Sequence, residues 1–323
     1  MCVRWVIVLG LSVTLAPSMA AGQVSSPAGL NPPALELDAA ISPAAWLGRM
    51  NHALTAADFE GTLVYLRDGQ LDALRIEQHP GSVDGVRLTS LSGENVEVAG
   101  ELENVRLTVS DGVSLWPSAS SARSSILRAR QPPPAHYELV SVGSDRVAGR
   151  QAQVIDIRPR DGFRYGYRLW IDTGSSLLLK SLTIGSDGRA VEQVMFTELS
   201  TDFKSPATAE APPEPAEVSM ASAHSTGVNW QVLDAPEGFL PTLIADGNRT
   251  HLLYSDGVAR VSVYIDPLSS QQATMSGLIS RGALNSFGRV AHGKQIIVLG
   301  EVPAATVERF AQGLVPLDGS GSR

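Results

Sequence analysis

The sequence predicts an α+β protein of two domains, a larger antiparallel β-rich unit led by one helix and a smaller α+β unit behind it. Three observations carry that prediction. The chain is 323 residues long, its first half is cut into short β-branched and aromatic runs by Asp-Gly pairs, and residues 204–226 hold almost no large apolar side chains. At roughly 100–200 residues per domain, the length suits two modest cores better than one. Hydrophobic residues make up 43% and charged residues 18%, with 30 Gly and 20 Pro, the balance of a turn-rich folded protein. The formal charge of −8 argues against nonspecific nucleic-acid binding, which draws on cationic side chains to displace counterions from phosphates.

Residues 1–21 read as a secretory signal peptide. Arg4 precedes an apolar stretch of about twelve residues from Trp5 to Ala16, and Ser18 and Ala20 supply the small side chains a signal peptidase accepts. The stretch is too short to cross a hydrocarbon layer of ~30 Å as a helix. Cleavage after Ala20 or Ala21 removes Arg4 and the single cysteine, Cys2, taking the charge to −9 and leaving no thiol for a disulfide or a thiolate metal cluster. The mature chain is expected to be exported, soluble and not membrane-spanning. Residues 22–41, rich in Ser, Pro and Ala, read as a flexible lead.

The first domain is placed at 42–203. Ser42 suits an N-cap and Pro43 the first helical position, and Trp46, Leu47, Met50, Ala53 and Leu54 recur on one helical face. From Phe59 to Phe203 the pattern is antiparallel strands, with Asp68-Gly69, Asp84-Gly85, Asp111-Gly112, Asp161-Gly162 and Asp187-Gly188 suited to reversals at positive φ. In Tyr165–Asp172, Tyr165, Tyr167, Leu169 and Ile171 share one face. Thr62–Leu66, Leu177–Leu179 and Val191–Phe196 put bulky groups on both faces, so the sheet must be covered. Two arrangements satisfy this: a curved sheet wrapped over the helix and partly hollow, or a filled two-layer β-sandwich or α+β core. In the hollow arrangement Val64, Leu74, Tyr167 and Leu169 are the candidate lining of an apolar pocket.

The apolar-poor run 204–226 reads as a linker, since its composition cannot offset the entropy of ordering. The second domain is placed at 227–316, with 317–323 as a tail. It should hold strands near His251–Tyr254 and Val258–Ile265, joined through Ser255-Asp256-Gly257, then Gln295–Leu299 and a helix begun by Pro303 with Val307, Phe310 and Leu314 as its stripe. Alternation turns Ala259, Val261, Val263 and Ile265 to the core and leaves Arg260, Ser262 and Tyr264 outward. Tyr254, Arg260, Tyr264 and Phe287 are the candidate partner-binding residues, because Tyr and Arg anchor many interfaces.

No zinc-type His/Glu spacing, phosphate loop or Gly-x-Ser-x-Gly elbow is present. His52, His79, His136, His224, His251 and His292 are scattered singly, and Ser255-Asp256 beside His251 reads as hairpin chemistry. Asp172, Glu192 and Glu198 are placed at strand ends or on exposed faces. No enzyme, cofactor or metal site is expected.

Four segments resemble the MucB/RseB family of periplasmic negative regulators of the envelope-stress sigma factor. They are Trp46–Met50 with Phe59–Tyr65; Arg146–Arg150 through Arg158–Arg160 and Tyr165–Asp172; Leu177–Ser181 with Glu192–Thr197; and His251–Ile265, which continues into Arg281–Asn285 and Gly300–Pro303. The stretch 94–125 departs from the family pattern. The resemblance implies a half-open antiparallel β-barrel with helices, like the lipoprotein carriers LolA and LolB, followed by a small α+β domain. It also implies a periplasmic protein that binds the periplasmic segment of a single-span anti-sigma factor of the RseA/MucA type, shields it from regulated proteolysis, and releases it on a lipidic signal such as lipopolysaccharide or lipoprotein acyl chains. A periplasmic lipid or lipoprotein carrier is the alternative, and the second domain is what a simple carrier does not require. If the two domains reorient on release, deleting 206–222 should blunt the response to lipid while leaving both domains folded.

Overall fold

The structure is a computed structural model that describes residues 41–80, 85–92, 97–100, 135–201, 230–246, 249–268 and 274–317. The stretches read as signal peptide (1–21), lead (22–41, except Ile41) and linker (204–226), most of the divergent stretch 94–125 and the residues beyond Leu317 lie outside the described residues.

Helix α1 (Pro43–Ala56) starts where the cap signal puts it. Ser42 Oγ accepts the Ala45 N–H at 3.2 Å, and Pro43 follows as the first residue of the helix. Trp46, Leu47, Met50 and Ala53 are buried and Leu54 partly so, the face that the spacing defines. Nine strands follow: β1 (Phe59–Arg67), β2 (Gln70–Gln78), β3 (Val86–Ser90), β4 (Glu97–Gly100), β5 (Tyr137–Val147), β6 (Arg150–Pro159), β7 (Gly166–Asp172), β8 (Leu178–Ile184) and β9 (Ala190–Ser200). They form one sheet, order β4-β3-β2-β1-β9-β8-β7-β6-β5, antiparallel throughout. Strands β4 and β5 are its two edges, so the sheet is open rather than a closed barrel.

The turns explain the tight connections. Asp68 and Gly69 take φ 50° and 75°, the doubly positive pair of a two-residue hairpin, and Ala148-Gly149 does the same between β5 and β6 without an Asp-Gly signal. The Asp161-Gly162 expectation is corrected: Gly162 does not take positive φ. Instead the Asp161 carboxylate accepts the Phe163 N–H at 2.9 Å and holds an ion pair with Arg164. At Gly61 no side chain fits, because a Cβ there would overlap the Glu198 carbonyl and lie 2.9 Å from the Phe196 ring across the β1–β9 pairing.

Helix α1 packs on the sheet through two apolar clusters. Trp46, Leu47 and Met50 pack with Tyr137, Ile155, Tyr165, Tyr167 and Leu169, whereas Ala53 packs with Phe59, Leu63, Leu74, Ile76 and Phe196.

The C-terminal domain is a six-stranded antiparallel sheet, order β11-β12-β13-β16-β15-β14, with one helix on it. Its strands are β11 (Leu240–Asp246), β12 (Arg249–Ser255), β13 (Arg260–Pro267), β14 (Gly277–Arg281), β15 (Leu284–Ala291) and β16 (Lys294–Gly300), and the helix is α2 (Ala304–Gly313). A two-stranded ribbon pairs β10 (Trp230–Val232) with β17 (Leu314–Pro316). Val261, Val263 and Ile265 face α2 and Arg260, Ser262 and Tyr264 face away, as the alternation predicts. Val258 and Ala259 fall in the turn, not the strand, because Asp256 Oδ1 accepts both of their N–H groups, at 2.8 and 2.7 Å. Under α2, Phe310 makes edge contacts with Phe239 at 5.5 Å and Tyr254 at 4.9 Å.

Candidate functional site

The most heavily equipped region of the molecule is where the two domains meet. Ile41–Arg323 cluster as one compact unit, and two hairpin turns of the C-terminal domain, with Glu237, Phe239 and Thr306, make the junction. The β12–β13 turn brings Asp256, whose Oδ2 accepts from Arg164 Nε at 2.5 Å and from the Tyr137 hydroxyl at 3.1 Å. Arg164 is 0% exposed, its remaining nitrogens donating to the Asp161 carboxylate and the Glu237 carbonyl, with the Phe239 ring 4.7 Å from its guanidinium carbon. Burial, then the Asp256 charge, pushes the Tyr137 phenol up, which keeps it a donor toward that carboxylate.

The β14–β15 turn makes the second contact. The Ala283 N–H donates to Glu192 Oε1 at 2.8 Å and the Gly282 N–H to Asp68 Oδ2 at 2.9 Å. Gly282 takes φ 57°, and a Cβ there would overlap Glu192 and lie 2.7 Å from the Arg67 side chain. Beside this turn Asn285 donates to the Tyr165 hydroxyl at 3.0 Å and to the Val302 carbonyl at 2.8 Å, and Thr306 donates to the Phe163 carbonyl at 2.8 Å. Burial raises the Tyr165 phenol to about 12 and raises the Glu192 carboxyl too, the latter opposed by the Ala283 N–H and the charge of Arg67. Val258 and Ala283, at the two tips, are each 3% exposed and belong to the apolar cluster of the N-terminal domain.

The family models described as MucB/RseB N-terminal domain and MucB/RseB C-terminal domain match residues 42–216 and 224–315. The chain belongs to the MucB/RseB family. It is 32% identical over 297 residues to the sigma factor AlgU regulatory protein MucB of Pseudomonas aeruginosa, covering 84% of this chain and 90% of that one. It is 28% identical over 194 residues to the sigma-E factor regulatory protein RseB of Salmonella typhimurium, 55% of this chain and 59% of that one. Among solved structures, MucB in complex with MucA(peri) matches 85% of this chain and 99% of its own at 29% identity, with a TM-score of 0.60. Uncomplexed MucB matches with a TM-score of 0.55 at 32% identity, over 84% of this chain and 96% of its own. MucB/RseB proteins carry regulatory names, and the two-domain layout expected from the resemblance is the one observed.

The sequence-derived site residues fall in different places. Tyr167 and Leu169 are buried against α1, and Leu74 sits in the neighbouring cluster. Val64 lies on the other face from Leu74, because Leu74 pairs with Leu63 and Val64 with Ala73. Of the four only Tyr167 borders an open depression of about 290 Å³, edged by Asp156, Arg168, Ile184 and Gly185. Tyr254 is corrected as a contact candidate. It is 5% exposed, its register places it on the core face opposite Val261, and its hydroxyl accepts the Val232 N–H at 3.3 Å. Arg260 is exposed, Tyr264 is half-buried and stacked on His251 at 4.3 Å, and Phe287 is packed at the core margin.

Asp172 ends β7 as expected, whereas Glu192 lies inside β9 and is corrected. Both are buried, Asp172 accepting from Arg150 at 3.0 Å and closing a turn through Ser175, while Glu198 is exposed. The sequence did not single out Arg164, read Val258 as the start of a strand, held Ala283 only within a family segment, and marked Asp256 only as turn chemistry. Among the described residues no group of three or more His, Cys, Asp or Glu could hold a metal ion, and no described helix is long and apolar enough to cross a membrane.

Proposed function

We propose that this chain is a periplasmic, non-enzymatic regulator that binds the periplasmic segment of a single-span anti-sigma factor, shields it from proteolysis, and releases it on a lipidic envelope-stress signal. One observation carries the reading: both domains, in order, match MucB, a sigma factor regulatory protein whose solved structures include a complex with MucA(peri). No catalysis is required. A partner that binds only the sheltered form of a cleavable segment lowers the cleavable fraction by mass action. A lipid that prefers the partner-free arrangement shifts the balance back. Arg260, Tyr264 and Phe287 remain the proposed contacts on the C-terminal domain, and Leu74, Tyr167 and Leu169 the proposed apolar wall of the N-terminal domain.

The test is calorimetric titration of the mature protein with the purified periplasmic segment of the anti-sigma factor from the same organism. Binding at ~10 μM or tighter, weakened by added lipopolysaccharide, supports the reading. A folded protein that shows no binding at tenfold higher concentration overturns it.

A further inference from the structure

The tips of hairpins normally face water. Here two of them do the opposite. Val258 and Ala283 leave the core of their own domain, where Val261, Val298 and Phe310 pack, and join Trp46, Tyr137, Tyr165, Tyr167 and Leu169 of the other. The first tip carries a second feature. Two residues before Val258, the Asp256 carboxylate lies on the fully buried guanidinium of Arg164 and receives the Tyr137 hydroxyl. An anionic group joined by a short tether to an apolar group is the chemistry of an amphiphile, and the N-terminal domain offers a matching surface: the Arg164 cation, held by its own Asp161 and covered by Glu237 and Phe239 while the domains are docked, the Tyr137 phenol donor and an apolar wall. A peptide strand on that surface would need paired acceptors and donors along its backbone. A head group with an acyl chain needs only what Asp256 and Val258 already use.

We propose that the β12–β13 turn is a built-in plug for an anionic-amphiphile site on the N-terminal domain. A carboxylate or phosphate head group takes the place of Asp256 on Arg164, an acyl chain takes the place of Val258 beside Tyr137 and Leu169, and occupancy excludes the docked position of the C-terminal domain. The inference rests on the regulator reading only for its purpose, since it assigns where the lipidic signal acts and why the domains must part. The Ala283 tip, held by Glu192, has to leave with the first.

The experiment uses Val258→Asp and Ala283→Asp. Each puts a charge where docking buries it, but on an exposed turn once the domains separate, so neither core is touched. cis-Parinaric acid, its methyl ester and inorganic phosphate are the probes, with fluorescence for binding and small-angle scattering for domain separation. Both variants should have a larger radius of gyration and bind the acid at least about tenfold more tightly than the unmodified protein, whose site is competent only in its undocked fraction. The ester should bind more weakly than the acid. Saturating the unmodified protein with the acid should expand it.

Expanded variants with unchanged affinity, equal affinity for acid and ester, or saturation without expansion would each overturn the proposal. Displacement of the acid by phosphate alone, with no change in dimensions, would reduce the site to an anion site and overturn the acyl assignment. Titrating the anti-sigma segment into the same proteins separates the two ideas: partner binding with a lipid-insensitive socket removes this inference and leaves the regulator reading standing.

Discussion

Replacing Asp256 with Asn isolates the charge at the domain junction. The amide keeps the volume of the carboxylate, and its oxygen can still accept the Val258 and Ala259 N–H groups that shape the turn, at 2.8 and 2.7 Å in the wild type. Its nitrogen then faces Arg164 Nε, a donor against a donor, where the carboxylate accepted at 2.5 Å. Breaking a buried ion pair by removing one partner costs about 3–5 kcal/mol. Arg164 keeps the Asp161 carboxylate and the Glu237 carbonyl, so the lower end applies, about 3 kcal/mol or roughly a hundredfold in the docking equilibrium. Separation of the domains relieves the clash, because the guanidinium regains water. The loss should therefore appear as undocking rather than as unfolding of either core. Hydrogen exchange reads this directly: protection of the amides around Tyr137, Arg164 and Val258 should fall by about two orders of magnitude, while Val263 and Ile296 in the C-terminal core stay protected. Unchanged exchange at Arg164 would refute the claim that this pair holds the domains together, and loss of protection at Val263 would show that the two cores are not separable.

Three further outcomes follow from the same geometry. Gly282→Ala adds a methyl that overlaps Glu192 in a left-handed turn, so it should weaken docking without changing the melting of the C-terminal core; wild-type scattering dimensions would contradict this. Glu192 has a folded pKa raised above 4.5, first of all by burial, so it retains a proton that the unfolded or undocked chain has lost. Its contribution to stability is thus complete below pH 4.5 and fades as pH rises through the raised value, and Glu192→Gln should flatten that slope in denaturant titrations across the range. Replacing Arg260 and Tyr264 together with Ala should weaken partner binding by more than ~2 kcal/mol with little loss of thermal stability, and unchanged affinity in the folded double variant removes both as anchors.

Local structure was legible where one residue type has one physical use. Ser42-Pro43 marked the start of α1, Asp68-Gly69 marked a hairpin, and the alternation from Val261 to Ile265 assigned both faces of β13. Strands with two bulky faces called for a covered sheet, but periodicity alone favoured a filled sandwich, and the half-open arrangement came from the family resemblance. Tyr254 misled because aromatic character does not tell the two faces of a strand apart. Its place under α2 depends on pairing with Val261, which the lone run His251–Tyr254 does not reveal. The domain junction was least visible. Arg164 and Asp256 are 92 residues apart, each in a turn whose local chemistry accounts for it, and nothing in either segment announces the other. Val258 read as the first residue of a strand because a valine buried by another domain looks the same in sequence as one buried by its own.

The most direct test of the regulator reading is site-1 cleavage of the anti-sigma segment by its envelope protease in a purified system, followed over time with and without the mature protein. At concentrations above the dissociation constant the account predicts that cleavage is suppressed in proportion to the bound fraction and restored by lipopolysaccharide. Cleavage at the unprotected rate when the segment is fully bound would contradict it.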